Sequence, residues 1–390
     1  MDSVCDYKNI ENIKDVRNIF PVTKNCVYLD SAHYSQFSIV TVNRMNKFIS
    51  DFTYTNVDLG KLRYDIENRL KSKIANLIEC NSKDVIITVC TTHGMNIFAN
   101  GLQFIEGECV AYPDTEFPAI VYTWMNQEKL RGVKNIRIPS NNGKVNISDI
   151  ENVLRNNNVK VLTVSSVGFL GFRNDLKKIS GLCRSYNCML MVDAIQSMGI
   201  CPFSVKETDV DFVSSGAQKW LQSPSGIGFA YISPSVKNKI FPTYAGTTNV
   251  EFDFKNFLNY NLNFRKDGGA YENSAANHLG MIALESSLDL FLKLGVVNIY
   301  NHILGLLDIF IEGIKNTDFI IESDLNPVHR SNILIFSHSD KNKNEFIQKK
   351  LDEKKIHIAL RENFLRLSPH IFNNENDIDI LIENLLLLKV

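Results

Sequence analysis

Cysteine is absent from the whole C-terminal part of the chain, beyond Cys201. None of the eight cysteines forms a Cys-x-x-Cys pair, and no group of histidines stands near them at the spacing of a zinc site. The sequence therefore predicts no metal site. Scattered, unpaired cysteines are typical of proteins whose thiols stay reduced, so we expect a cytoplasmic protein.

An excess of charge and a long apolar run are also missing. Lysine and arginine total 42, aspartate and glutamate total 43, and the net charge is −1. Such a balance gives no electrostatic reason to expect nucleic acid or an anionic membrane as a partner. No apolar run approaches the roughly 18 residues of a membrane span. The first residues, MDSVCDYKNIENIKD, are polar and charged, which argues against a secretory signal peptide.

Short apolar runs alternate with amphipathic stretches through the middle of the chain. Hydrophobic residues make up 44% of the 390 residues and charged residues 22%, which is typical of a globular protein long enough for two domains. The segment 174–186, NDLKKISGLCRSY, indicates an amphipathic helix. This alternation predicts an α/β fold with a mostly parallel central sheet and helices on both faces. The predicted buried strands are Asp84–Thr88, Glu108–Tyr112, Val159–Ser165, Met189–Asp193 and Gly228–Ile232.

The C-terminal part has a different pattern. The segment Phe241–Ala270 is rich in Asn, Phe and Tyr and lacks periodicity, so we expect an irregular connection there. Helical periodicity follows over Ala275–Lys293 and Val297–Lys315. The predicted divisions are an N-terminal arm (1–26), a large domain (27–260) and a small α+β C-terminal domain (261–390). The elements predicted near the C-terminus are Ile333–Phe336, Glu345–Lys354, Leu365–Leu367 and Ile378–Leu388.

Lys219 has an unusual setting in the sequence SSGAQKWLQSPSGIG. Small residues precede it, Trp220 and Leu221 follow it, and a glycine-rich turn leads into the next predicted strand. A lysine that forms a Schiff base must be partly desolvated, because only the uncharged amine attacks an aldehyde. Small neighbours leave room for a cofactor ring and its phosphate. A surface or structural lysine is the alternative, and this residue alone does not decide between them.

Asp193 ends the apolar strand MLMVD, at the edge where a parallel sheet binds its ligands. Pyridoxal-5′-phosphate (PLP) requires a carboxylate that pairs with the protonated ring nitrogen and keeps the ring an electron sink. Gln196, three residues further on, is placed to donate a hydrogen bond to the phenolic oxygen of the ring. A helix N-cap is the alternative role for Asp193.

Two further groups of residues are suited to bind anions. Thr91, Thr92 and His93 follow a predicted strand, and hydroxyls with backbone amides at a strand-to-helix turn form an anion site. We expect a phosphate there with Thr92 as its side-chain ligand, although helix capping explains the same residues. Arg366, in the strand-like stretch NFLRLSPHIF, is suited to bidentate binding of an α-carboxylate, with a surface salt bridge as its alternative.

These residues belong to a larger set of motifs. The motifs are VYLDSAHYS, ITVCTTHGMN, DTEFPAIVYTW, VSSVGFLGFRNDL, VDAIQSMG, DVDFVSSGAQKWLQSPSGIGF, AYENSAANHLG and LRLSPHIFNNENDID. As a set they resemble the class V aminotransferase family of fold-type I PLP enzymes, from about Val27 to Leu388. That family includes cysteine desulfurases, isopenicillin N epimerase-like proteins, kynureninases and C–S lyases.

The resemblance implies roles for individual residues. Lys219 is expected to carry PLP as a Schiff base, and Asp193 to pair with the ring nitrogen. Arg366 is expected to bind the substrate carboxylate, with His33 close to the substrate. Ser274, in AYENSAAN, is expected to contribute to the phosphate site of a partner chain in a homodimer. The remaining expected cofactor contacts are Gln196 at the phenolic oxygen, Thr91, Thr92, His93 and Gln218 at the phosphate, Phe117 stacked on the ring, and Ser166 in a loop that faces it.

Three positions depart from the family pattern. Gln218 replaces the histidine often found before the lysine, so this position cannot carry a charge. Phe117 replaces the histidine typical of desulfurases, so no imidazole is available there for proton transfer. Ala275 replaces the phosphate-binding threonine offered to the partner chain, which leaves Ser274 as a substitute.

The resemblance implies an enzyme that acts on an amino acid by Schiff-base chemistry. Transamination, elimination of a β-substituent and epimerisation remain open, with an aminotransferase or C–S/β-lyase preferred. A cysteine desulfurase is one alternative, and a PLP-binding sensor or scaffold is the non-enzymatic one. A desulfurase carries sulfur on a cysteine shortly before the carboxylate-binding arginine, but the matching stretch IHIALRENFLRLSPH has none. We therefore expect no cysteine-borne persulfide, and Cys90 is interpreted as a buried, small apolar residue.

Overall fold

A seven-stranded sheet forms the centre of the protein. The computed structural model describes residues 6–141, 143–253, 255–272 and 276–388. The strands are β1 (Val27–Tyr28), β2 (Val85–Thr88), β3 (Cys109–Pro113), β4 (Lys134–Ile138), β5 (Val159–Ser165), β6 (Met189–Asp193), β7 (Phe212–Gly216), β8 (Gly228–Ile232), β9 (Phe319–Ile321), β10 (Leu334–His338), β11 (Ile356–His357), β12 (Ala359–Arg361) and β13 (Phe364–Leu367). The order in the large sheet is β2-β8-β7-β6-β5-β3-β4, in which β8 runs antiparallel to both neighbours and the other pairs are parallel. The predicted mostly parallel sheet is confirmed.

The sequence does not predict two strands of this sheet, β4 and β7. Strand β4 lies at the edge and reads KNIRI, so it lacks the apolar run that marks a buried strand. Strand β7 is buried throughout, yet it contains Ser214, Ser215 and Gly216. The Ser214 hydroxyl donates to the carbonyl of Thr91 at 2.8 Å, so its burial leaves no unsatisfied donor. Hydrogen-bonded serines therefore fill a core strand without a hydrophobic signal in the sequence.

Helices cover both faces of the large sheet. Alternate residues of β6 belong to different apolar clusters: Leu190 and Val192 to one, Met189 and Met191 to the other. The helices are α1 (Ile39–Tyr54), α2 (Leu59–Ile78), α3 (Thr91–Gly101), α4 (Pro118–Arg131), α5 (Ile147–Asn156), α6 (Leu176–Ser185), α7 (Val205–Thr208), α8 (His278–Leu294), α9 (Val296–Gly313), α10 (Asn344–Glu353) and α11 (Glu375–Leu387). Among the described residues no single helix is long and apolar enough to cross a membrane, and only α8 and α9 together pass by length and composition, at 81° to each other.

The C-terminal part forms a second, antiparallel sheet in the order β12-β13-β10-β9. Helix α10 packs against β12 and α11 packs against α9, so the elements predicted there are observed within a few residues. Strand β1 pairs with β11, with Val27 opposite Ile356, which ties the predicted start of the large domain to the C-terminal part. Of the predicted irregular connection, the described residues between 241 and 267 contain no helix or strand, whereas Gly268–Tyr271 form a short 3-10 helix at its end. The division at residue 260 stays a proposal.

Parallel strands place their carboxyl ends at one edge of the large sheet. Strand β3 leads to Phe117 at the start of α4, β6 ends in Asp193, and β7 leads to Lys219. Helix α3 approaches β7 so closely that a Cβ on Gly94 would lie 2.2 Å from the Ser214 hydroxyl, and only glycine fits there. This edge therefore brings together the segments that the sequence singles out.

Candidate active site

A cavity of about 550 Å³ lies at this edge of the sheet. The ends of β6 and β7, the starts of α3 and α4, the segment after β1 and the hairpin of β12 and β13 contribute to its wall. Residues from both ends of the chain therefore meet around one space. The predicted site residues on the wall are His33, Thr91, Thr92, Phe117, Asp193, Gln196, Gln218, Lys219 and Arg366.

Lys219 follows β7 and lies in this wall. Its Nζ is 5.5 Å from the centroid of the Phe117 ring. Burial lowers the pKa of Lys219 from 10.5 to about 8; Asp193 opposes the change and Arg366 adds to it. A fraction of the amine is therefore uncharged near neutral pH, as attack on a carbonyl carbon requires.

Asp193 is a buried carboxylate, 3% exposed, at the end of β6. Its Oδ1 accepts the backbone N–H of Ile195 at 2.9 Å, so it closes a turn and does not cap a helix. Burial raises the pKa of Asp193 to about 6, although this hydrogen bond and the Lys219 amine oppose the change. Its other oxygen, Oδ2, accepts no hydrogen bond from the described residues. The site thus offers a buried acceptor that a protonated ring nitrogen fits.

The beginning of α3 lines the end of the cavity where the sequence predicts the phosphate. Thr92 is exposed there, whereas the Thr91 hydroxyl accepts the Gly216 N–H at 2.8 Å and joins α3 to β7. Gln218 lies on the same wall, and no partner for its buried Oε1 is found in the described part of the chain. His93 lies off the wall, where its Nδ1 accepts the Val89 N–H at 3.4 Å, so only its backbone remains as a predicted phosphate contact.

Gln196 is held by two hydrogen bonds. Its Nε2 donates to the carbonyl of Ala32 at 3.1 Å, and its Oε1 accepts the indole N–H of Trp220 at 2.7 Å. The amide therefore joins the N-terminal segment to the residue that follows Lys219. One N–H of the amide remains for the phenolic oxygen, which stays a prediction.

Ser166 is placed differently from the sequence expectation. It does not line this cavity but a neighbouring one, with its hydroxyl 2.6 Å from that of Ser197. The Ser166 N–H donates to the carbonyl of Asp193 at 2.8 Å, so the turn after β5 directs its side chain behind β6. The expectation that Ser166 faces the ring is therefore corrected.

Arg366 projects from β13 and is 2% exposed, so it does not form a surface salt bridge. Its Nη2 donates to Asp30 and its Nη1 donates to the carbonyl of Phe169, both at 3.2 Å. Its buried Nε has no partner among the described residues, which leaves a donor for a ligand. His33 lies 3.5 Å from the same Asp30 carboxylate, and burial lowers the pKa of His33 despite this neighbour.

Glu116 is a buried acidic residue that the sequence analysis does not single out. Its carboxylate accepts the N–H of Ser165 at 2.7 Å and the hydroxyl of Ser165 at 2.5 Å. Burial raises the pKa of Glu116 to about 7, and Asp193 adds to the effect. Ser165 is paired with Asp193 across β5 and β6, so Glu116 holds the strand end beside the Asp193 carboxylate. The signal in the sequence that could have identified Glu116 is its position three residues after a buried strand, similar to Asp193 at the end of one.

Two other residues change the expected composition of the cavity wall. Arg361, at the end of β12, lines the cavity together with Arg366. Cys90 is the N-cap of α3, partly exposed on the cavity wall, so its interpretation as a buried apolar residue is wrong. Strand β2 ends at Thr88 and leaves Cys90 outside the sheet. Ser274 lies outside the described residues.

The family model for "Aminotransferase class-V" matches residues 27–381. The chain belongs to this family. It is therefore a PLP-dependent enzyme of the transferase or lyase type. The buried carboxylate and the lysine of lowered pKa fit this cofactor.

Two relatives illustrate the range of the family. The chain is 25% identical over 406 residues to a "Probable cysteine desulfurase" of Methanothermobacter thermautotrophicus, with 95% of this chain and 97% of the relative covered. It is 22% identical to the "Uncharacterized aminotransferase YcbU" of Bacillus subtilis, with 93% and 94% covered. The matches therefore span almost the whole length of both chains.

Solved structures show the same fold. A cysteine desulfurase from Thermococcus onnurineus superposes with a TM-score of 0.86 at 19% identity, covering 96% of this chain and 98% of that one. The cystine C–S lyase C-DES, in complex with cysteine persulfide, gives a TM-score of 0.86 at 20% identity, with 94% and 98% covered. At such identity the likeness establishes the fold alone.

Proposed function

We propose that this protein acts on a free α-amino acid, with Lys219 as the residue that binds PLP and moves the substrate proton. The observation that carries the proposal is that Lys219 shares one cavity with a buried carboxylate and a buried guanidinium group. Asp193 and Arg366 line the same cavity as Lys219, and the charges of both act on its amine. This arrangement supplies one group for the cofactor nitrogen and one for a carboxylate.

Bound PLP supplies an electron sink for negative charge at the substrate Cα. Asp193 keeps a negative charge at the ring nitrogen and so favours its protonated form. Arg366 holds the α-carboxylate by charge-assisted hydrogen bonds and orients the substrate. When it does not hold the cofactor, the Lys219 amine would take the proton from Cα as a general base. Phe117 shields the amine from water on the side of α4.

We propose elimination of a β-substituent as the outcome when that substituent is a thiol, without transfer of sulfur to a protein cysteine. The names of the similar proteins, a cysteine desulfurase and a cystine C–S lyase, support sulfur amino acids as candidate substrates. Between β12 and β13 the chain makes only the two-residue turn Glu362–Asn363, where a desulfurase needs a cysteine on a mobile loop. Transamination stays open as the second outcome.

Cysteine should be converted to pyruvate, ammonia and sulfide without any protein persulfide. The expected result is that no cysteine-containing peptide gains sulfur when the PLP-loaded protein turns over cysteine, as read by mass spectrometry. Cys90 is the peptide to follow, because it lies on the cavity wall. Serine, which carries no sulfur, is the control substrate. A persulfide on Cys90 that forms with turnover and vanishes with the activity in Cys90→Ala would restore the desulfurase.

Replacing Arg366 by glutamine should raise KM for the amino acid by about 10- to 100-fold, because a charged hydrogen-bond donor to the carboxylate is lost. Steady-state kinetics measure the effect, and Arg155→Gln, on an exposed face of α5, is the matched control. The cofactor absorption band should persist in both variants. An unchanged KM in Arg366→Gln would mean that the substrate carboxylate is bound elsewhere.

We also propose a cytoplasmic homodimer. The irregular segment after β8 exposes large apolar side chains, with Phe257 63%, Leu258 81% and Tyr260 82% exposed. Such a group of exposed apolar residues is typical of a protein interface. Sedimentation should give a mass of twice the 44.3 kDa chain, and the monomer mass at micromolar concentration would contradict the dimer.

A further inference from the structure

Arg361 and Arg366 lie on the same face of one rigid hairpin. Arg361 is opposite Phe364, and Ala359 is opposite Arg366. Because side chains alternate along a strand, residues 361 and 366 point to the same side as diagonal neighbours, with Cα atoms about 7–8 Å apart. The turn residues Glu362 and Asn363 have φ of 47° and 61°, the left-handed backbone of a tight two-residue hairpin. Both guanidinium groups are thus presented to the cavity at a fixed spacing.

The two arginines differ in their partners. Arg366 is buried and is held by Asp30 and the carbonyl of Phe169. Arg361 is partly exposed, and its Nη1 donates to the carbonyl of Leu360 at 2.8 Å. Within the described ranges no carboxylate lies at ion-pair distance from Arg361, including the exposed Glu362 beside it. Arg361 is therefore a cation on the cavity wall whose remaining donors are available to a ligand.

The position of Arg361 assigns it to the substrate end of the cavity. Its charge and that of Arg366 both act on the amine of Lys219. The end of the cavity where the phosphate is predicted lies on other elements, at Thr92 in α3 and Gln218 after β7. An amino acid with an apolar or hydroxyl side chain uses one cation, for its α-carboxylate. A second cation on the same hairpin face is electrostatically complementary to a second negative group on the substrate.

We propose that the preferred substrate is an α-amino acid whose short side chain ends in a second anionic group, such as a carboxylate, whereas cysteine, which lacks this group, uses Arg366 alone. Arg366 holds the α-carboxylate and Arg361 holds the side-chain anion. This inference rests on the proposed function, because it assumes that the amino group reaches the cofactor at Lys219. Arg361 would then determine the substrate specificity, although it is not one of the residues expected to bind the cofactor.

Binding of succinate, glutarate and butyrate to the PLP-loaded protein tests the proposal by calorimetry. These acids lack an amino group, so the measurement needs no reaction at the cofactor. Succinate or glutarate should bind about 10- to 100-fold more tightly than butyrate, because the second carboxylate gains a charged donor. Arg361→Gln should remove this preference and leave butyrate binding unchanged, whereas Arg366→Gln should weaken all three acids.

Arg361→Lys should restore part of the preference, since the positive charge is kept and the planar pair of donors is lost. Arg155→Gln should bind like the unaltered protein. A ratio of dicarboxylate to butyrate affinity that is the same in Arg361→Gln and the unaltered protein would overturn the inference. The absorption band of bound PLP, recorded on each sample, separates the two failures: a missing band in the unaltered protein contradicts the proposed function, and a normal band with an unchanged ratio contradicts only the role of Arg361.

Discussion

Lys219→Ala should lower turnover by about 10⁴-fold, because one substitution removes both the covalent anchor of the cofactor and the base at Cα. The substitution should leave the apolar surroundings of the site in place, since the neighbouring residues Ala217 and Trp220 are themselves buried. Single-turnover kinetics with an amino acid and added PLP measure the loss. A small primary amine such as methylamine should restore part of the rate, because it supplies a base in the space left by the side chain.

Lys206→Ala is the control for this variant, because Lys206 is exposed on α7, away from the cavity. Its turnover should equal that of the unaltered protein. Turnover within tenfold of normal in Lys219→Ala would show that another group removes the proton, and the assignment of the base would be wrong.

Asp193→Asn should lower turnover by about 10²- to 10³-fold, the range for loss of one preorganised electrostatic contact. Asparagine keeps the size of the side chain and an oxygen for the Ile195 N–H, but it carries no charge to hold the ring nitrogen protonated. The cofactor should still attach to Lys219. Asp114→Asn, an exposed aspartate after β3 at the same edge of the sheet, is the matched control.

The stability of the cofactor-free protein, measured by unfolding as a function of pH, tests whether this loss comes from a damaged fold. Burial raises the pKa of Asp193 from 3.8 to about 6, so the folded protein binds this proton more tightly than the unfolded chain. The unaltered protein therefore loses stability as pH rises through this window, and Asp193→Asn does not. Above pH 6 the variant should be more stable by up to about 3 kcal/mol, a figure that already includes the attraction between Asp193 and Lys219. A variant less stable than the unaltered protein at pH 7 would contradict the claim that burial raises the pKa of Asp193.

The sequence predicts the residues whose surroundings leave a local signal. Asp193 ends a predicted buried strand, Lys219 follows a run of small residues, and the structure places both on one cavity wall. Strands β5, β6 and β8 have the predicted bounds, because each is short, mostly apolar and almost wholly buried. Fold class and cofactor therefore follow from short-range patterns and from the resemblance that they carry.

The features that the sequence does not predict depend on contacts between distant segments. The pairing of β1 with β11 joins residues 27 and 356, and neither strand has more than two residues to mark it. Ser166 occupies the expected loop, yet its hydroxyl lies 2.6 Å from that of Ser197 and the residue lines a neighbouring cavity. The position of Arg361 on the same face as Arg366 depends on the register of the hairpin, which a linear motif does not encode.

Borohydride reduction of the PLP-loaded protein, followed by peptide mass spectrometry, tests the central claim most directly. Reduction converts the Schiff base to a stable pyridoxyl-lysine and should abolish the cofactor absorption band. The modified peptide should be the one that contains Lys219, and the modification should be absent from Lys219→Ala. A pyridoxyl group on any other lysine, or no modified peptide from protein that shows the band, would contradict the account of this site.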